Sequence, residues 1–207
     1  MIPMLGFMGC YASPSTSLSE PLDLYIHGYI SSRLMRLGSS SPSFQSSPEA
    51  EEPQGLPLTI SATHLDGLVL ALTPNNHSYN YRSAILHGYA SPVIDDAEKL
   101  WAMEKITDGV MTDRWDNSRV PPTKTEMTST QILKVSIVDA SAKVRQGQTG
   151  EDKADLADDG LRERTWIGVV PTWISYGEPI ASKENRCETV STRWEEWDGR
   201  ENSQLTT

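Results

Sequence analysis

The sequence predicts a mainly β chain, an antiparallel β-barrel with peripheral helices. Three observations support this. Several apolar runs alternate with period two and are rich in β-branched and aromatic residues. Only one long stretch carries a helical period. With 14 glycines and 13 prolines among 207 residues, turns are frequent.

Taken in order, "IPMLGFMGC" reads as a strand. "LDLYIHG" (22–28) alternates Leu22, Leu24 and Ile26 with Asp23, Tyr25 and His27, the pattern of a half-buried strand ending at Gly28. A short helix begins in "SSRLMRL" (31–37), with serine at its N-cap. Residues 38–55 are rich in Ser, Pro and Glu and bury almost nothing, so they read as a solvated insertion. "LTISATH" (58–64) and "GLVLALT" (67–73) suggest two adjacent antiparallel strands joined by a tight turn at Leu65–Asp66, and the sheet continues through 79–90.

In "DDAEKLWAMEKITDGVM" (95–111), Leu100, Trp101, Met103, Ile106 and Val110 recur at helical spacing, and Asp95 with Glu98 resembles a capping box. One further helical turn is expected at 123–128 and a strand at 132–140. Residues 145–159 read as a charged surface excursion. Residues 165–182 read as an apolar strand that Pro171 confines to an edge or bulge. The ordered domain therefore spans 1–182, and 183–207 is a polar tail.

Charge narrows the function. With 18 basic and 28 acidic residues the formal net charge is −10, which opposes non-specific binding to nucleic acid or an anionic membrane. Cys10 and Cys187 have neither zinc-site nor disulfide-framework spacing and read as reduced thiols of a cytoplasmic protein. The N-terminus lacks the basic region of a signal peptide, and its apolar run is too short to span a bilayer. There is no G-x-S-x-G elbow and no evident Cys/His pair for nucleophilic hydrolysis. His64, His77 and His87 are not spaced as metal ligands, and "HLD" (64–66) reads as a turn.

Two places could carry chemistry. At 27–36, Ser31, Ser32 and Arg33 arrive at the first turn of a helix. Free N–H groups, the positive end of the dipole, two hydroxyls and a guanidinium suit a terminal phosphate there. Plain helix capping with an exposed arginine is the competing reading. At 77–83, His77 and Ser78 precede a strand on which Tyr81 and Ser83 share one face and Asn80 and Arg82 the other. Such a set could line the polar edge of a flavin or pterin ring, or could be an ordinary hydrogen-bonded turn. Lys143 and Arg145 lie two apart and could add positive charge to the anion site, or form a solvated edge.

Together with "LYIHGYISSRLMR", "THLDGLVLALTPNNHSYNYRSAILHGYA", the following "DDAEKLWAMEKITDGVMTDRWDNSRVPPTKTE", "SAKVR" and "WIGVVPTWISYGEPI", the chain resembles the flavin-nucleotide-binding branch of the pyridoxamine 5′-phosphate oxidase-like superfamily, related to nitroimidazole-resistance proteins. The resemblance implies an FMN-binding split barrel, a homodimer, and a small-molecule substrate. It assigns Ser31, Ser32 and Arg33 to the FMN phosphate, and "HSYNYRS" to the strand beside the flavin, with Ser78 and Asn80 in that motif. Lys143 and Arg145 match a basic pair near the end of the next strand. Arg82 and Ser83 would bond the ring edge or phosphate, His77 would deliver a proton, and Tyr81 would assist. Members of the branch begin with a helix and strand ahead of the segment aligned with "IPMLGFMGC", so the chain matches from its second strand on.

The implied activity is that of an FMN-dependent oxidoreductase. Two other readings keep the barrel: a non-redox isomerisation or cyclisation in a specialised pathway, and a flavin- or haem-binding protein without catalysis. The Ser/Pro insertion hints at a eukaryotic, fungal version of the family.

Overall fold

The computed structural model describes residues 1–17, 19–40 and 55–187. Among them one six-stranded sheet has the spatial order β1 (Gly6–Gly9), β2 (Asp23–Tyr29), β5 (Thr130–Arg145), β4 (Ser78–Pro92), β3 (Leu56–Leu70), β6 (Gly168–Pro171). The chain divides into two compact units, residues 1–60 with 86–140, and residues 61–85 with those from 141 on.

The first unit holds β1 (Gly6–Gly9), β2 (Asp23–Tyr29) and α1 (Arg33–Ser40). It also holds the start of β3 (Leu56–Leu70), the end of β4 (Ser78–Pro92), α2 (Asp96–Val110), α3 (Lys124–Ser129) and most of β5 (Thr130–Arg145). β2 lies between β1 and β5, antiparallel to both, with Tyr25 opposite Phe7 and Lys134. The expected strand is therefore present, but it is not half-buried. Leu24 and Ile26 pack with Met35, Ala90, Leu133 and Val135, while Tyr25 on the opposite face packs with Val93, Ala102, Ile106 and Ile132. Period two still holds, and both faces are covered because each meets its own apolar cluster.

Helix α2 begins where the sequence placed it. The Asp95 carboxylate accepts from the N–H groups of Ala97 and Glu98. Glu98 makes no return bond of a capping box; its carboxylate accepts instead from the buried Tyr25 hydroxyl at 2.6 Å and from Lys134 at 3.2 Å. A complete box forms at α3, between Thr123 and Glu126. Helix α1 runs through Ser40, past the expected start of the insertion, because a bare Gly38 lets the helix press against Leu133; a Cβ there would come within 2.7 Å of that side chain. The rest of the insertion, 41–54, lies outside the described residues.

The second unit contains the remainder of β3, a 3-10 turn at Pro74–Asn76, the start of β4 and the end of β5, followed by α4 (Lys153–Leu156), α5 (Asp159–Arg164) and β6 (Gly168–Pro171). The expected hairpin at Leu65–Asp66 is not there. β3 is one continuous 15-residue strand, and the chain reverses only after it, through 71–77. The Asp66-Gly67 pair is a strong local hairpin signal, but Gly67 serves another purpose. It sits opposite Pro171 in the β3–β6 pairing, where a Cβ would stand 3.0 Å from a Val169 methyl. Asp66 is buried and its side chain is bonded across strands, so the HLD turn is corrected to mid-strand.

The 145–159 excursion carries the short helix α4, and the chain enters α5 at its end. The expected strand at 165–182 is reduced to the four residues of β6, at the edge of the sheet as Pro171 implied. Beyond it Trp173, Ile174 and Ile180 are exposed. Of the polar tail, 188–207 lies outside the described residues. Cys10 and Cys187 are thiols, and among the described residues no helix is long and apolar enough to cross a membrane.

Candidate functional site

In the first unit, β2 ends and α1 begins across residues 29–33. Gly28 is required just before this corner, since a Cβ would meet the Met35 terminal methyl at 2.8 Å and that methionine is fully buried. The Ser32 N–H donates to the Tyr29 carbonyl, and the Ser32 carbonyl accepts from Arg36, so Ser32 occupies the N-cap position. Ser31, Ser32 and Arg33 are all exposed. The first N–H groups of an α-helix have no intrahelical acceptors, so two hydroxyls and a guanidinium flank a donor-rich end. This chemistry fits a phosphate, and the core does not pack the corner shut.

In the second unit the motif 77–83 forms the start of β4. His77 is exposed, and its Nδ1 accepts from the Ala71 N–H at 3.2 Å; a neutral ring therefore carries its proton on Nε2. Ser78 opens the strand, half-buried. Asn80 is buried, with its amide donating to the Gly147 carbonyl at 3.1 Å and its oxygen accepting from Arg145. Arg145 also donates to the Gln148 carbonyl at 3.2 Å. The Lys143 ammonium lies 5.6 Å from the centre of the Tyr81 ring, and the Ser83 hydroxyl donates to the Lys143 carbonyl at 3.2 Å. Asn80, Tyr81, Ser83, Lys143 and Arg145 are thus brought together across β4 and the end of β5.

Arg82 has a different partner. Its Nε donates to both oxygens of Asp66, at 3.2 and 3.1 Å, and Nη2 reaches Oδ1 at 2.9 Å. His64 Nδ1 lies 3.0 Å from the same Oδ1. The bonds from Arg82, with help from its charge and from His64, hold the Asp66 carboxyl below the usual carboxylate range despite burial. Asp66 and His64 are the residues that sequence reasoning missed. The signal was there: one acidic residue inside a long apolar, strand-forming run must find a cation across the sheet. A second carboxylate, that of Glu151, accepts from the Leu72 N–H at 3.1 and 3.2 Å and ties the loop after β5 to the end of β3. Among the described residues no group of three or more His, Cys, Asp or Glu side chains could hold a metal ion.

The sequence model of the family described as pyridoxamine 5′-phosphate oxidase matches residues 18–144, a span that includes 31–33, 77–83 and Lys143 and stops one residue short of Arg145. Among solved structures, the chain is similar to an FAD- and heme-binding protein from Mycobacterium smegmatis, 26% identical with a TM-score of 0.67, over 85% of this chain and 77% of that one. It is also similar to the flavocytochrome Anf3 from Azotobacter vinelandii, 25% identical with a TM-score of 0.63, over 91% of this chain and 80% of that one. No curated protein matches the chain. The mainly β architecture and the family match over more than half of the sequence agree: this chain belongs to the pyridoxamine 5′-phosphate oxidase family and has its split-barrel fold.

Proposed function

We propose that the chain is a flavin-binding oxidoreductase acting on a small organic molecule, with FMN as its flavin. The observation that carries this is the exposed phosphate-compatible corner at 31–33, in a chain whose family and structural neighbours are associated with flavin. The bound flavin would supply electron or hydride transfer, while the protein binds, orients and shields it. Ser31, Ser32 and Arg33 are the proposed phosphate ligands. Ser78, Asn80, Arg82, Ser83, Lys143 and Arg145 are the further flavin contacts that the family resemblance proposes. His77 is the proposed proton donor, a role that needs the doubly protonated ring and so the release of Nδ1 from the Ala71 N–H; in the neutral ring Nε2–H serves only as a hydrogen-bond donor, and Tyr81 is the proposed assistant.

The working form is proposed to be a cytoplasmic homodimer. Large apolar side chains of the second unit stand exposed in the single chain, among them Val144, Trp166, Trp173 and Ile174, and a second copy is the partner that would cover them.

A second reading adds haem to the flavin, because both structural neighbours are described as binding or combining the two. An absorbance spectrum of the purified protein, with mass spectrometry of what it retains, tests both readings. A band near 450 nm with an FMN mass supports the first, and an added Soret band supports the second. An FAD mass would correct the choice of flavin. A colourless protein that takes up no added flavin would refute the proposal.

A further inference from the structure

The geometry points to Asp66 as the positioning residue of the flavin site, the group that fixes the Arg82 guanidinium in the orientation in which it meets the flavin. This deepens the flavin reading and rests on it. Asp66 is the one acidic side chain within β3, and its carboxylate is almost fully enclosed, at 5% exposure, whereas the Arg82 side chain is 55% exposed. The cation is therefore at the surface, where a ligand can be met, and its anchor is inside.

The anchoring is directional. Nε and Nη2 both donate to Asp66, along one edge of the planar guanidinium, which sets the plane as well as the position. The carboxylate is in turn held by His64, whose Nδ1 lies 3.0 Å from Oδ1. A long arginine on an exposed strand position otherwise has many rotamers, and fixing it before the ligand arrives removes an entropy cost from binding. The depressed Asp66 pKa agrees with a carboxylate that stays charged around neutral pH.

The test is a double-mutant cycle on FMN affinity, using the full chain stripped of flavin and titrated with FMN by fluorescence quenching. Arg82→Ala should raise the Kd about tenfold or more, the size of one lost charge-assisted contact. Asp66→Asn should raise it by a similar factor while Arg82 is present, and by less than about twofold in the Arg82→Ala background. Urea unfolding of the same four proteins separates this coupling from simple destabilisation, which would weaken FMN binding equally in both backgrounds. That equal loss would overturn the inference, as would an Arg82→Ala variant that binds FMN unchanged. Wild-type protein that binds no FMN would instead defeat the flavin reading itself. Should Asp66→Asn not fold, His64→Ala takes its place: it removes the carboxylate's second anchor and should raise the Kd several-fold only when Arg82 is present. No rise in that variant counts against the inference.

Discussion

Tyr25 and Asp66 sit in different units, and their surroundings differ in kind. Around Tyr25 the ring is enclosed, and the charged groups that follow it are partly exposed, Lys134 at 34%. The ring is fully buried, stacked on Phe7 at 5.2 Å and edge-on to Trp101 at 5.3 Å; its hydroxyl donates to Glu98, and Lys134 bridges Glu98 and Asp23. Around Asp66 only the carboxylate is inside, while Arg82 and His64 reach the surface. The apolar clusters follow the same division. Both belong to the first unit, while large apolar side chains are exposed in each, Ile94 and Val138 in the first and Trp166, Trp173 and Ile174 in the second. A hydroxyl enclosed in the core can only stabilise the fold; a guanidinium that is more than half exposed can also meet a ligand.

The contrast breaks most visibly if the core of the first unit proves dispensable. Tyr25→Ala should cost about 3–5 kcal/mol in urea unfolding, the usual range for truncating a buried aromatic. Tyr25→Phe, which keeps the packing and leaves Glu98 to Lys134 alone, should cost about 1–2 kcal/mol. Thr123→Ala, which removes the α3 cap, should cost about 1 kcal/mol. Trp173→Ala, at 57% exposure, should change the stability of the single chain by less than about 0.5 kcal/mol. A large effect at Trp173 that depends on protein concentration would show the second copy instead.

The two networks also fail at opposite ends of the pH scale. Burial and the bond to Glu98 raise the Tyr25 pKa. At Lys134 burial opposes the charge, but Tyr25, Glu98 and Asp23 outweigh it and the pKa is raised as well. Groups raised on folding contribute fully below their unfolded values, about pH 10 for both types, and lose that contribution as pH rises beyond. Asp66 is depressed by Arg82, so its contribution is full above about pH 4 and is lost as pH falls. Urea unfolding against pH should therefore show an alkaline decline that is smaller in Tyr25→Phe, and an acid decline that is smaller in Asp66→Asn. A Tyr25→Phe curve parallel to wild type above pH 10 would show that the buried hydroxyl is not responsible.

What could be read in advance depended on how local the signal was. β2, β4 and α2 announce themselves by period, and Asp95 marks its own helix start with a carboxylate within reach of the next N–H groups. Ser31, Ser32 and Arg33 were legible as a helix opening for the same reason. β3 was not legible, because Asp66-Gly67 has the local chemistry of a hairpin, and what keeps the strand straight is 16 residues away at Arg82 and about a hundred away in β6. The role of Glu98 was hidden likewise: the local pattern offered a cap, and Tyr25, 73 residues away, took the carboxylate. Long-range partners decide such positions, and a window along one chain does not contain them.

The most direct measurement of the central claim is a titration of the flavin-free chain with FMN, in parallel with its Arg33→Ala variant. Saturable binding by the wild type, weakened about tenfold or more in the variant, is the expected result. A wild-type chain that does not bind FMN, or a variant that binds it as tightly as the wild type, would contradict a phosphate held at the start of α1.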